Sequence, residues 1–330
     1  MRSLFMPARR QVLSGALAAA AFGGIGRGAA QSVDKTVHVI AGFAAGGGTD
    51  LSARLFAERI RGAYAPVVIV DNKVGVAGRL AVEFVKSAPA DGSVILFTPD
   101  FPITLYPHIY KQLSYDPLRD LTPVAPLTKS ALVLSVGPQV PEGVVTVKGF
   151  LDWCRANPDK ANFATTGAGG SPHFAGVMLS RESGVRMLPV HYRGGAPALQ
   201  DLLGGHVASG FNPAGEVMPH ARSGIRMLAV ITGERSRFLP DIPTLLELGY
   251  NIRVDTWSGA FLPAKTPAGI VAALSAAFEK ATQSADLIEA HARLGSEMAF
   301  QPPAVFASTV KASLESWGAI VASSGFVPED

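Results

Sequence analysis

Three glycine-rich turns hold the residues whose types and spacing could do chemistry. The first is Ala44-Ala45-Gly46-Gly47-Gly48-Thr49-Asp50, set between an apolar run ending at Phe43 and a helical pattern starting at Leu51. Glycines there let bare backbone N–H groups point into a cleft, and a helix N-terminus with exposed N–H groups favours an anion. Thr49 has the hydroxyl expected of an N-cap. No Lys follows the glycines as a phosphate-gripping G-x-x-x-x-G-K-[ST] loop requires, and G-x-G-x-x-G is not met. A carboxylate is therefore the better-suited anion. A tight strand-to-helix turn with no ligand is the plain alternative.

The second turn, Thr165 to His173, repeats this logic. It has hydroxyls at Thr165 and Thr166, glycines at Gly167, Gly169 and Gly170, Ser171 as cap and Pro172 at the first helical position. The third, Tyr192-Arg193-Gly194-Gly195-Ala196-Pro197, starts another helix. Arg193 offers a counter-charge there, although a lone Arg is more often a solvated surface side chain. Catalysis is poorly signposted. Ser171, His173 and Asp50 can be imagined as a hydrolase triad, but Ser171 and His173 are two apart at a helix start and would point in different directions. No G-x-S-x-G elbow occurs, and Ser180 and Ser183 lie in ordinary helical surroundings. The seven histidines, His38, His108, His173, His191, His206, His220 and His291, show no metal-ligand spacing. The expectation is a protein that is not an enzyme and has no metal or cofactor; an exported hydrolase using the same cleft is the alternative, and a structural or adhesive exported protein a third reading.

The elements that must position these turns are short β-rich runs alternating with helical patterns, the signature of parallel sheets with crossover helices. Strands are expected at Lys35 to Phe43, Val67 to Val70, Val94 to Phe97, Ala131 to Val136, Met187 to Val190 and Met227 to Ile231. Helices are expected at Leu51 to Gly62, Leu80 to Ser87, Val147 to Ala156, Phe174 to Glu182, Ala196 to Leu203, Ile270 to Ser284 and Val305 to Ser323. Ile252 to Phe261 runs back toward the first unit. Crossings near 133 and near 255 suit a hinged cleft between lobe one, residues 34–133 plus 256–330, and lobe two, residues 134–255. Trp153, Trp257 and Trp317 sit among apolar neighbours and are expected in the core or at the hinge.

With 330 residues, 48% hydrophobic and 17% charged, the chain is neither disordered nor disulfide-stapled, and two packed domains suit its length. Cys154 stands alone and is expected to be a small packed side chain. The formal charge is +3, but residues 1–30 hold Arg2, Arg9, Arg10 and Arg27 and no acid. The remaining chain therefore carries 25 basic against 26 acidic groups, a net charge of −1. No Lys/Arg run follows Arg10, so nucleic acid is excluded as a partner. Residues 1–30 read as an export signal: a basic start, the apolar stretch Val12 to Gly24, and Gly28-Ala29-Ala30 before Gln31. Arg9-Arg10 resembles a twin-arginine signal, and an ordinary secretory signal fits as well. No Cys follows the cleavage region, and no later stretch is apolar and long enough to span a bilayer.

A set of motifs then appears in a particular order: Gly46-Gly47-Gly48-Thr49-Asp50, Asn72 with Gly75 and Gly78, Ala90-Asp91-Gly92, Tyr115-Asp116-Pro117, the Thr166 to His173 loop, and Tyr192-Arg193-Gly194. Ala196-Pro197-Ala198-Leu199, Asp201-Leu202-Leu203-Gly204-Gly205, Leu239-Pro240-Asp241-Ile242-Pro243-Thr244 and Trp257 complete it. Across nearly the whole mature chain the sequence resembles a Bug-type receptor, the periplasmic solute-binding component of tripartite tricarboxylate transporters. That resemblance implies a type II periplasmic-binding-protein fold, with two α/β lobes closing on a small carboxylate. It implies ligand-binding residues Phe43, Ala44, Ala45, Gly46, Gly47, Gly48, Thr49 and Asp50 in lobe one, with Thr98 after the strand at Val94. In lobe two it implies Thr166, Gly167, Gly169, Gly170, Ser171, His173 and Asn212. It further implies a periplasmic monomer, with a membrane permease of the same transporter type as partner. The sequence departs from the family pattern at Gly42, Ala45, Arg79 and Asn212, where Pro, Pro, Asn and Asp are common.

The last departure bears on the ligand. A buried α-ammonium needs an acceptor, preferably a carboxylate. Asn212 offers only a carbonyl and an amide donor, which on its own favours a plain mono- or dicarboxylate over an amino acid. Asp50, Asp100 and Glu216 are the acids that would supply the acceptor if they faced the cleft.

Overall fold

The computed structural model describes residues 33–324 and Phe326; the expected export segment at 1–30 lies outside the described residues. The chain begins with β1 (Val37–Ala41), α1 (Gly48–Ile60), β2 (Val68–Asn72), α2 (Arg79–Lys86) and β3 (Val94–Pro99). These two β-α-β passages lie where the periodicity places them. The short helices α3 (Phe101–Thr104), α4 (Tyr106–Ile109) and α5 (Pro117–Asp120) lead to β4 (Leu121–Ser130). Next come β5 (Leu132–Val136), α6 (Val147–Ala156), β6 (Asn162–Thr165), α7 (Ser171–Ser183) and β7 (Leu188–His191). They are followed by α8 (Gly195–Leu203), β8 (Ser209–Pro213), α9 (Ala214–Val217) and β9 (Arg226–Val230). The remainder is β10 (Thr256–Pro263), α10 (Ala268–Thr282), α11 (Ala285–Arg293), β11 (Ser296–Met298) and α12 (Pro303–Ser324).

Two sheets result, ordered β11-β4-β10-β3-β1-β2 and β7-β6-β8-β5-β9, one in each lobe. The expectation of parallel sheets with crossover helices holds for part of each sheet. β1 is parallel to β2 and β3, and β6 to β7 and β8, but β10 is antiparallel to β3 and β4, and β5 to β8 and β9. The reason is topological: the chain passes between sheets at Ser130–Leu132 and again between Val230 and Thr256. β5 and β10, the strands that follow these passages, enter their sheets without a β-α-β crossover. β4 itself was not expected, because Pro123 and Pro126 interrupt its run. The structure accommodates both where the β10 ladder slips, at Ser258/Gly259 and Ala260/Phe261.

One core lies under β1, β3 and α10, around Phe56, Phe97, Leu274 and Phe278. Another joins both sheets: Phe43, Phe101 and Tyr106 from the first half share a cluster with Leu134, Phe163 and Phe174 from the second. Helix α12 ties the two ends of the molecule. Phe306 and Val310 pack near its start against Ile40, Leu96 and Phe261, while Trp317 meets Phe174 of α7 edge-on at 5.8 Å. Cys154 is buried and free in this shared core, where burial pushes its thiol up to about 12. It is a packed side chain. Among the described residues no helix is long and apolar enough to cross a membrane.

Candidate functional site

A cavity of about 330 Å³ opens between the two sheets, a size suited to a small molecule. From the first loop Phe43, Ala44, Gly46, Gly47, Gly48 and Thr49 line it, and from the second Thr166 and Ser171. The third turn, noted in the sequence but not counted among the site residues, contributes Gly194 to Pro197. Arg193 is exposed and does not line the cleft. Ala45, Asp50, Thr98, Gly167, Gly169, Gly170, His173 and Asn212 do not line it either.

The reasons differ from residue to residue. Asp50 is 2% exposed and binds back into its own loop. Its carboxylate accepts the Gly46 N–H at 2.9 Å, Arg54 Nε at 3.0 Å and Asn72 Nδ2 at 2.9 Å. Burial alone would raise its pKa, but the Arg54 bond, the Gly46 N–H and Asn72 outweigh it and hold the group below the ordinary range. Asp50 thus fixes the loop that lines the cleft. Replacing it with Ala removes three acceptor contacts and is expected to cost about 2 kcal/mol in urea unfolding. Thr98 is 3% exposed, and its hydroxyl donates to the Pro99 carbonyl at 3.1 Å.

The helix caps also shift, from Thr49 to Gly47 in α1 and from Ser171 to Gly170 in α7. α1 begins at Gly48, with Gly47 as its cap residue and no side-chain cap, so Thr49 lies inside the first turn. α7 begins at Ser171 with Gly170 at the cap, which frees the Ser171 hydroxyl for another partner. Gly169 packs against Ile109, and Gly167 against Ala77, both contributed by the first half of the chain. These glycines let two backbones approach and do not reach the cavity. His173 Nδ1 accepts the Gly169 N–H at 3.1 Å. Burial, then the neighbouring His191, depress its pKa to about 4, so it stays neutral.

Two carboxyls line the cleft from opposite sides. Asp100 directly follows β3, is 1% exposed, and accepts the Ser171 hydroxyl at 3.3 Å across the cleft. Burial pushes it up to about 7, and its Oδ1 has no partner. Glu216, in α9, is also raised to about 7, chiefly by burial. The Gly48 N–H and the Asn212 amide face its carboxyl and pull the other way. Asn212 nevertheless makes no bond of normal geometry: its Nδ2 and Oδ1 are both unpaired, as is Glu216 Oε2. Glu216 lies so close over Gly195 that a Cβ there would fall 2.0 Å from Oε2.

Residues 52–326 match the TctC family, the tripartite tricarboxylate transporter family receptor. The chain belongs to that family. Its fold is that of solved TctC relatives. The periplasmic binding protein BugD is 28% identical, with 88% of this chain and 98% of that one covered at a TM-score of 0.82. R. palustris Rpa4515 with adipate is 28% identical at 0.83, covering 89% and 98%. MatC from Rhodopseudomonas palustris with bound malate is 29% identical at 0.79, covering 87% and 98%. This TctC receptor thus has the two-lobed α/β architecture of periplasmic solute-binding proteins.

Within that frame the sequence carried one usable signal for Asp100. In open α/β sheets ligands gather beyond the carboxyl ends of the parallel strands, and Asp100 is the first residue past β3. Glu216 had no such signal, because β8 was not recognised as a strand and the start of α9 went unmarked.

Proposed function

We propose that this TctC receptor captures a small carboxylate in the interlobe cleft by closing its lobes on it, and presents the closed form to a membrane permease of the tripartite tricarboxylate type. The observation that carries this reading is a cavity lined by glycine-rich helix starts from both sheets. The adipate and malate found in related structures are of the same ligand class. Residues 34–133 plus 256–330 would form one closing body and 134–255 the other, with both connections near the cleft edge. Phe43, Ala44, Gly46, Gly47, Gly48, Thr49, Thr166 and Ser171 would touch the ligand, and Ala45, Asp50, Thr98, Gly167, Gly169, Gly170, His173 and Asn212 would support them. Closure would be driven by contacts that exist only when both lobes reach the ligand. Export to the periplasm, by the secretory or twin-arginine route, accompanies this role.

Capture without turnover is the reading favoured by the polar contacts. The Ser171 hydroxyl is directed to Asp100, and His173 Nδ1 is occupied by the Gly169 N–H, so the imagined Ser171–His173–Asp50 relay has no continuous path. Two measurements test the proposal together. Mass spectrometry of small molecules released on denaturing the purified protein is expected to find one acid near one equivalent. Small-angle scattering of stripped protein is expected to show a smaller radius when that acid is restored. A protein that releases no acid, and whose radius no acid changes, is not a closing carboxylate receptor.

A further inference from the structure

The acids that line the cleft have no basic counterpart. Asp100 and Glu216 lie on its walls, no Lys or Arg does, and the nearest thing to a cation among the lining residues is His220. The unpaired atoms there are mostly acceptors: Asp100 Oδ1 and Glu216 Oε2 on the walls, and Asn212 Oδ1 beside Glu216. Asp100 and Asn212 are 1% and 0% exposed, so water does not reach them freely. Buried acceptors without donors are costly, and a plain carboxylate brings only more acceptors. A dianion would also meet two like charges in a low-dielectric site. An ammonium brings three N–H donors and the missing positive charge.

We propose that the ligand carries a protonated amine beside its carboxylate, and that Asp100 and Glu216 accept the amine from the two sides of the cleft. This rests on the carboxylate reading above and narrows it. It reverses the preference for plain acids drawn from Asn212 alone, because the acceptor missing at 212 is supplied by Asp100 and Glu216. The hydroxyls of Thr49, Thr128, Ser130 and Thr166 line the remaining wall and can donate to the ligand's carboxylate. Glu216 is positioned by its packing against Gly195 and faces the start of α1, with Oε2 left over. Asp100 is positioned by Ser171, with Oδ1 left over. Asp100 therefore has one oxygen engaged by Ser171 and one without a partner, while Glu216 has Oε1 toward the start of α1 and Oε2 over Gly195 without a hydrogen-bond donor.

The test uses matched pairs at pH 7.5 on the stripped full-length protein: glutamate against glutarate, aspartate against succinate, and 4-aminobutanoate against butanoate, by calorimetry. In at least one pair the amino member is expected to bind about tenfold to a hundredfold more tightly, the range for one charge-assisted hydrogen-bond set. In Glu216→Gln and in Asp100→Asn that ratio should collapse toward one. Asp100 is buried, so if its variant does not fold, Glu216→Gln carries the test alone. If plain acids bind more tightly than their amino partners, or if the ratio survives both substitutions, the amine is not read here and the carboxylate reading still stands. If none of the six binds, the amine proposal falls, and the carboxylate reading is judged by the release and scattering experiment above.

Discussion

Gly215→Ala is expected to lower affinity for the captured acid by roughly tenfold to a hundredfold, because the added methyl has no room when the lobes are together. Gly215 lies in α9 on the second lobe, and its ideal Cβ position is 1.7 Å from the Leu294 carbonyl oxygen and 2.1 Å from the Leu294 carbonyl carbon. Leu294 and Gly295 join α11 to β11, the edge strand of the first sheet. The clash is therefore with backbone of the other lobe, and no side-chain rotation relieves it. Both residues line the cleft, so parting them reopens it. Neither lobe's core is touched, and far-ultraviolet circular dichroism of the variant should match the parent. Calorimetry with the acid released from the parent reads the affinity loss, and scattering should show the larger radius persisting at saturating acid. Parental affinity together with a parental closed radius would mean that Gly215 and Leu294 are not in contact in the ligand-bound form.

Sequence periodicity located most helices and parallel strands to within a few residues because each depends on its own local pattern. α6 is the clearest case: Val147, Phe150, Leu151 and Cys154 are buried on one face and Lys148, Asp152 and Arg155 project outward, so expected and observed ends coincide. What local pattern does not encode is which way a returning strand runs. β10 reads like any other apolar strand, and only its arrival from the second lobe sets it antiparallel between β3 and β4. β4 was hidden by Pro123 and Pro126, which a lone strand would not tolerate but a bulged ladder does. The same division holds at the cleft. Glycine turns announce themselves, whereas whether Asp50 faces the ligand or its own loop depends on Arg54 and Asn72, four and twenty-two residues away. Asp100 and Glu216 come together at one cavity through the meeting of two sheets, which no spacing in the chain expresses.

If the lobes close on the ligand as proposed, the two cleft carboxyls make that closure sensitive to pH. Inside the cleft Asp100 and Glu216 are raised to about 7 by burial, and Asp255 adds a like charge that pushes Asp100 the same way. When the lobes part, returning water lowers both groups toward the ordinary carboxylate range. The closed form therefore holds protons that the open form releases. The sign follows: the contribution to closure is fully present below about pH 4, is lost as pH rises toward 7, and is flat above that, where both forms are ionised. Each group can change the closed-to-open ratio by at most about tenfold per pH unit across that window. His173 titrates in the opposite sense, and its ring packs against Phe163, Phe174 and His191 of its own lobe and against Phe326 of the C-terminal segment. It would mask the effect in a thermal melt, so the observable must report closure. Trp257 lines the cleft and meets Phe306 edge-on at 5.1 Å, which makes its fluorescence such a reporter. In stripped protein that signal, checked against the scattering radius, should move toward the open value between pH 5 and pH 7.5, and Glu216→Gln should remove about half of the slope. A flat profile, or one that opens toward acid, would show that these carboxyls stay solvated in the closed form. Adding an amine-bearing ligand should flatten the parental profile as well, because an ammonium held between Asp100 and Glu216 stabilises their ionised forms and removes the proton uptake.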